Sequence, residues 1–328
     1  MLLKWHQAFS FGILSVVVPL FHAEVIYKIV QAILFVFFLL NCLDLIITKY
    51  QLWGFEPLNP TPNGFALVND SSTDIGRAMV FLLAEKKYSM ILVSRSWSTL
   101  QKMKAEIELV NKVQVFCCFA DTSTQDGIDE VVACIQENQF QVDILINIAW
   151  SAKTSSFQQF TRKEAQKLTI ATINSTVHLT HALLPSMISR NKGSILNVTS
   201  MKSAGPIPGR SLESALHTGI NGISQAMNYE LRKTGIIVSS YYPGPLFRNL
   251  KLTCSLDHTY DIKDIAKAGL EEMYNGKECA SESTLSQLSF YILQSIIPTY
   301  LRLEILSVLQ SWLHAPPDVS AASGSSSR

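Results

Sequence analysis

The residues best suited to chemistry in this chain of 328 residues lie in two short stretches. In the first, Ser200 closes the apolar run SILNVTS, and Glu213 and His217 follow in Glu213-Ser214-Ala215-Leu216-His217. A carboxyl and an imidazole four residues apart on a helix share one face. They could pass a proton to a bound group, although a local ion pair is the commoner outcome at this spacing. Asn174 lies upstream in a helix-period segment, Thr172-Ile173-Asn174. The second stretch is the turn Asn69-Asp70-Ser71-Ser72-Thr73-Asp74-Ile75-Gly76, set between the apolar run FALVN and the helical run RAMVFLLAEKK. A strand that turns directly into a helix offers N–H groups and a helix dipole to an anion. Two carboxylates oppose that use, since each repels a charge 4 Å away by ~1 kcal/mol in water and ~4 kcal/mol at an effective dielectric of 20. Taken alone, the loop reads as a structural turn capped by Asp and Ser. A further pattern, Tyr229-Glu230-Leu231-Arg232-Lys233, falls on the same helix as Glu213 but ~160° around it, and reads as a solvated helix end.

The elements that must position these residues alternate along the chain. Apolar runs at 65–69, 90–94, 113–120, 142–149, 193–200 and 235–244 are separated by helix-period segments through Ala84, around Leu100–Val110, Ile128–Gln136, Glu164–Leu184 and Glu213–Lys233. Such alternation predicts an α/β fold with a doubly wound parallel sheet buried on both faces, as a single domain over 64–283. After Pro243 the periodicity loosens.

Hydrophobic residues make up 48% of the chain, and the excess is concentrated near its start. The run Ile29–Ile47 is long enough for a helix that spans a bilayer, and an earlier run, Phe9–Phe21, carries Pro19. The expectation is a retained N-terminal membrane anchor over 1–48, as one span or a hairpin, followed by a Pro- and Gly-containing linker at 49–63. Apolar helices at 284–313 would cap the core or face a membrane, and the tail at 314–328 reads as disordered. Lys and Arg number 27 against 26 Asp and Glu, without a basic block, so nucleic acid is not an expected partner. The six cysteines show no spacing suited to zinc, no metal site is expected, and they read as small buried hydrophobes.

From residue 64 to 250 these segments resemble the short-chain dehydrogenase/reductase family. The similarity is strongest to membrane-anchored members: 17β-hydroxysteroid reductases, very-long-chain 3-oxoacyl reductases and dehydrogenase/reductase member 7-like proteins. The resemblance implies a Rossmann-like domain whose cofactor turn, T-G-x-x-x-G-I-G in the family, supplies Asn69, Ser71, Ile75 and Gly76 here, with Asp70 and Asp74 in place of the first two glycines. It also assigns Asp121 to the adenine and Asn147 to the first Asn of the family's N-N-A-G, with Trp150 at its glycine. Pro243 and Gly244 would meet the nicotinamide. Arg95, in Val93-Ser94-Arg95-Ser96, suits a 2′-phosphate, so the implied cofactor is NADP, weakly bound.

At the catalytic end the resemblance assigns Asn174 to the proton-relay water and Ser200 to the catalytic Ser. Glu213 and His217 stand where the family has Tyr and Lys. The implied activity is NADP(H)-linked oxidoreduction of a carbonyl or hydroxyl on a lipid, steroid or retinoid-like substrate. The alternative is a catalytically inactive module that binds a lipid or a partner. Membrane lipid, a hydrophobic small molecule and a second copy of the chain are the expected partners, and a membrane, of the endoplasmic reticulum or a lipid droplet, is the expected location.

Overall fold

Apolar runs of this length become strands when both faces can be covered, and here helices cover both. The computed structural model describes residues 60–61, 63–148, 155–200, 206–242, 261–276 and 279–280, with scattered positions in the terminal apolar segments (28, 31–32, 35–36, 39, 42–43, 301, 303–304 and 307). Its strands are β1 (Gly64–Val68), β2 (Ser89–Ser94), β3 (Val115–Phe119), β4 (Gln141–Ile148), β5 (Gly193–Val198), β6 (Ile236–Tyr241) and the two-residue β7 (Cys279–Ala280). They form a 7-stranded sheet in the order β3-β2-β1-β4-β5-β6-β7, parallel at every pairing. The chain reverses its winding between β1 and β4, which opens a crevice at the carboxyl ends of these strands.

The helices are α1 (Asp74–Glu85), α2 (Trp97–Asn111), α3 (Gln125–Glu137), α4 (Arg162–Thr169), α5 (Ser175–Ser189), α6 (Ser211–Leu231) and α7 (Ile262–Tyr274). Alternate strand residues sort between two cores because successive side chains point to opposite faces. Ala66, Val68 and Leu92 meet Met79, Leu100 and Met273 of α1, α2 and α7 on one face. Leu67, Val93 and Leu145 meet Ile128, Leu179 and Leu231 of α3, α5 and α6 on the other. Burial pushes the Cys118 thiol up to about 12, so this cysteine is a protonated packing residue.

Two departures from the expected elements bear on the site. The helix anticipated over 164–184 is interrupted: α4 passes into a π-helical segment, Ile170–Asn174, before α5 begins. The helix α7 was not anticipated, although Asp261 caps it by accepting from the Lys263 N–H at 3.2 Å. Its buried residues Ala266, Leu270 and Met273 share one core with Met79 and Leu83 of α1 on the same face of the sheet, a partnership that local periodicity does not announce.

At the amino edge of the sheet, Asp143 of β4 is buried and fully engaged. Thr61 Oγ1 donates to it at 2.7 Å, Lys192 Nζ lies 3.4 Å away, and Arg190 pairs with its other oxygen while donating to the Val142 carbonyl at 2.8 Å.

The chain divides into two units, Met1–Phe55 and Glu56–Arg328. In the first, the described residues are helical, and Phe35, Val36, Leu39 and Leu43 are exposed. Among the described residues no helix is long and apolar enough to cross a membrane. Most of 1–48 and of 284–313, and all of 314–328, lie outside the described residues.

Candidate active site

The turn after β1 forms without its two family glycines. Asp70 takes a left-handed conformation, φ 56°, which Asp tolerates better than most residues. Thr73 caps α1, accepting from the Gly76 N–H at 3.2 Å while its hydroxyl donates to the Asp70 carbonyl at 2.8 Å. A Cβ on Gly76 would stand 2.6 Å from that same carbonyl, so only glycine fits there. Ser71 donates to the Val93 carbonyl from both its N–H and its hydroxyl, each at 3.0 Å, tying the turn to β2. Asn69 stitches three elements: its Nδ2 donates to Ser175 Oγ at 2.9 Å and its Oδ1 accepts from Thr122 Oγ1 at 3.1 Å. The expected Asn69, Ser71, Ile75 and Gly76 therefore do come together. Ser175 and Thr122 were missed because nothing near them in sequence marks them as partners of residue 69.

Charge is the feature of this turn that opposes an anion. Burial pushes the Asp70 carboxyl above its ordinary range; Arg95 offsets part of the rise and Asp121 adds to it. Arg95 Nε lies 3.8 Å from Asp121 Oδ1, and Lys167 Nζ lies 3.7 Å from Oδ2. Burial also raises Asp121, but two hydrogen bonds from Ser123 and the fields of Lys167 and Arg95 outweigh it, and the carboxyl is held below its usual value. Arg95 is exposed and already shared between the fields of two carboxylates.

At the catalytic end, Asn174 closes the π segment, a helical irregularity that recurs at functional sites. This segment packs closely on α6, where a Cβ on Gly219 would stand 3.2 Å from Ile173 Cδ1. Ser200 follows β5, whose end is joined to β6 by the Thr199 N–H donating to the Tyr241 carbonyl at 2.7 Å. Glu213 and His217 lie on the inward face of α6, 1% and 2% exposed. Ser214 between them is also buried, its hydroxyl donating to the Ser211 carbonyl at 3.1 Å. In the first turn of α6 a carboxylate suits the helix dipole. Tyr229, by contrast, is exposed at the far end of α6 with Arg232 stacked 3.8 Å over its ring.

Asn147 serves a different purpose from the one expected. Its Nδ2 donates to Asn197 Oδ1 at 2.9 Å, Asn197 donates to Ser224 Oγ at 2.8 Å, and Ser224 donates to the Ile220 carbonyl at 2.7 Å. This buried seam pins β4, β5 and α6 together through the Asn147 Nδ2, while the Asn147 Oδ1 is buried without a hydrogen-bond partner among the described residues. Trp150, Pro243 and Gly244 lie outside the described residues.

A buried carboxyl one helical turn from a buried imidazole could exchange a proton with a carbonyl or hydroxyl brought to it. It cannot supply a hydride, which the fold's dinucleotide crevice would have to provide.

Comparison with known proteins agrees with the architecture. The short chain dehydrogenase family model matches residues 65–251. The chain is 26% identical to an uncharacterized oxidoreductase of Staphylococcus epidermidis over 179 residues, covering 55% of this chain and 76% of that one. It is 25% identical to a sulfoacetaldehyde reductase of Chromohalobacter salexigens over 250 residues, covering 75% and 94%. Its fold is similar to that of a bulky-bulky ketone specific alcohol dehydrogenase from Comamonas testosteroni, with a TM-score of 0.59 at 20% identity over 80% of this chain and 97% of that one. The matched span takes in β1 to β6, the turn capped by Thr73 and the inward face of α6, and on that ground the chain belongs to the short-chain dehydrogenase family.

Proposed function

We propose that this chain is a membrane-associated, NADP(H)-linked oxidoreductase of a carbonyl or hydroxyl on a lipid, steroid or retinoid-like substrate, with Glu213 as the group that carries the proton. The burial of Glu213 and His217 on the face of α6 that packs toward the π segment and β5 carries this reading. A carboxyl that had merely drifted into a surface ion pair would sit in water.

The residues present fit a dinucleotide in shape and only partly in charge. Arg95 would hold a 2′-phosphate, Asp121 would face the adenine, and those N–H groups of the 69–76 turn that Ile146, Val93, Asp70 and Thr73 do not take would hold the diphosphate against Asp70. Bound there, the nicotinamide would supply the hydride. Support comes from proteins of similar fold, including a Sphingobium yanoikuyae short-chain dehydrogenase in complex with NADPH, TM-score 0.61 at 20% identity. A 7β-hydroxysteroid dehydrogenase, TM-score 0.66 at 15% identity, supports a hydrophobic substrate. The exposed stripe Phe35, Val36, Leu39 and Leu43 supports contact with lipid.

A second reading, an inactive module that binds a lipid or a partner, is favoured by the Asp70 carboxylate in the phosphate turn. One experiment separates them. NADPH-dependent turnover of a panel of 3-oxoacyl, steroid and retinoid carbonyls is measured for the wild type and for Glu213→Gln. Loss of roughly 10²–10⁴-fold in turnover on that substitution supports the proposal. A rate that survives it assigns the proton to another group. No rate in the wild type, with activity appearing only in Glu213→Tyr with His217→Lys on an Asp70→Gly, Asp74→Gly background, establishes the second reading.

A further inference from the structure

We infer that the amino edge of the sheet is a docking face for an anionic phospholipid surface. The inference rests on the membrane association proposed above. In a parallel sheet every crossover helix runs back against the strands, so the loops that leave the helices for the next strand all gather at one edge. Here those loops are 86–88, 112–114, 138–140, 190–192, 232–235 and 275–278, and the one acidic residue in their sequence is Glu278, next to Lys277. They carry Lys86, Lys87, Lys112, Arg232 and Lys233, all exposed. Arg190 and Lys192 add to the edge but are committed to Asp143.

The carboxylates nearest this rim sit back in the helices. Glu85, Glu108 and Glu271 are engaged by Lys263, Lys104 and Lys267 at 3.3, 3.6 and 3.9 Å, while Glu137 is exposed at the end of α3 beside a loop that carries no cation. Glu230 is exposed in the last turn of α6 next to Arg232 and Lys233, so the cations of 86–87 and 112 are the ones without an adjacent free carboxylate. Lysines suit helix C-termini on dipole grounds alone, so charge by itself would not suffice. The second observation is apolar. Leu109 and Val110, in the last turn of α2, are 80% and 70% exposed, directly beside Lys112. Exposed aliphatic side chains flanked by Lys112 and by Lys87, whose Nζ reaches the Asn111 carbonyl at 2.9 Å, suit an interface with headgroups outside and acyl chains beneath.

The course of the chain supplies the third. The segment that carries the apolar N-terminal runs joins the fold at this same edge. The Gly64 N–H donates to the Thr61 carbonyl at 3.1 Å, and Thr61 is held by Asp143. Docked in this way, the carboxyl edge with Arg95 and Glu213 faces aqueous solution, where a dinucleotide arrives.

The test is amide hydrogen exchange on the full chain with vesicles of phosphatidylcholine alone and of phosphatidylcholine with phosphatidylserine. Co-sedimentation with the neutral vesicles reads the membrane association by itself. The expected result is slowed exchange at 106–115 and 230–236 with the anionic vesicles only, reversed by 0.5 M salt and lost in Lys87→Glu with Lys112→Glu, each cation contributing a factor of about five in occupancy. Equal exchange with both vesicle types overturns the docking face while leaving membrane association standing if the chain still sediments. Slowed exchange at the same peptides without vesicles, rising with protein concentration, overturns it in favour of a contact between two copies of the chain.

Discussion

The two edges of the sheet each draw a carboxylate away from water, Asp143 fully and Asp70 partly, and they treat it in opposite ways. At the amino edge Asp143 is met by a hydroxyl, a guanidinium and an ammonium, so its desolvation is offset on every side. At the carboxyl edge the Asp70 carboxyl is pushed up by burial, and the field of Arg95 does not cancel that push because Asp121 competes for the same guanidinium. The amino edge is built for stability. The carboxyl edge keeps an unsettled charge next to the residues that would do chemistry, as functional sites commonly do. The contrast is also one of distance along the chain, because Asp143 recruits partners from 82 and 47 residues away whereas Asp70 is held by its own turn.

The largest effect that would break this comparison is at Asp143. Asp143→Ala should cost about 3 kcal/mol, seen as a lower urea midpoint, because it strips Arg190 and Lys192 of their shared partner and releases Thr61. A loss no greater than that of Asp70→Ala would mean that the two edges are not differently built. Next in size, replacing Asp70 and Asp74 by Gly should tighten NADPH binding by at least about tenfold, measured by nicotinamide fluorescence, since two like charges leave the phosphate turn. An unchanged affinity would show that the turn does not face a diphosphate.

A smaller effect is expected from Asp70→Asn. The raised carboxyl binds its proton more tightly in the folded state than in the unfolded state. Stability therefore falls as pH rises from the ordinary value of 3.8 through the raised one, and the cost is fully present above it. The Asn variant should be the more stable protein near neutrality, and the difference should vanish below pH 3.8. A difference that grows on acidification would refute the assignment. At the bottom of the range, Tyr229→Phe should change neither stability nor turnover measurably, because its phenol is exposed and remote from the crevice.

Much of this could be seen in the amino-acid sequence because it is local. Strand burial follows from the unbroken apolar runs, and the turn at 69–76 announces itself between a strand and a helix. The inward placement of Glu213 and His217, with Tyr229 around the helix, follows from a period of 3.6 residues. The same locality explains the failures. The run 164–184 keeps one helical period, so it shows no sign of the π segment at Ile170–Asn174, where α6 presses closely on that stretch. Asn147 could be matched to a cofactor motif, but the bond from its Nδ2 to Asn197, and through it to Ser224, joins residues far apart in the chain and leaves no local trace.

What the sequence by itself determined, then, is the alternation of elements, the parallel winding and the residue types offered at each end of the strands. Only the tertiary structure decided that Asp143 would be neutralised and Asp70 left in tension, or that the loops bearing Lys86, Lys87, Lys112, Arg232 and Lys233 would meet along one edge. A hydrophobic period is a property of neighbours, whereas the energy of a buried charge depends on what the packed fold brings to within a few ångströms of it.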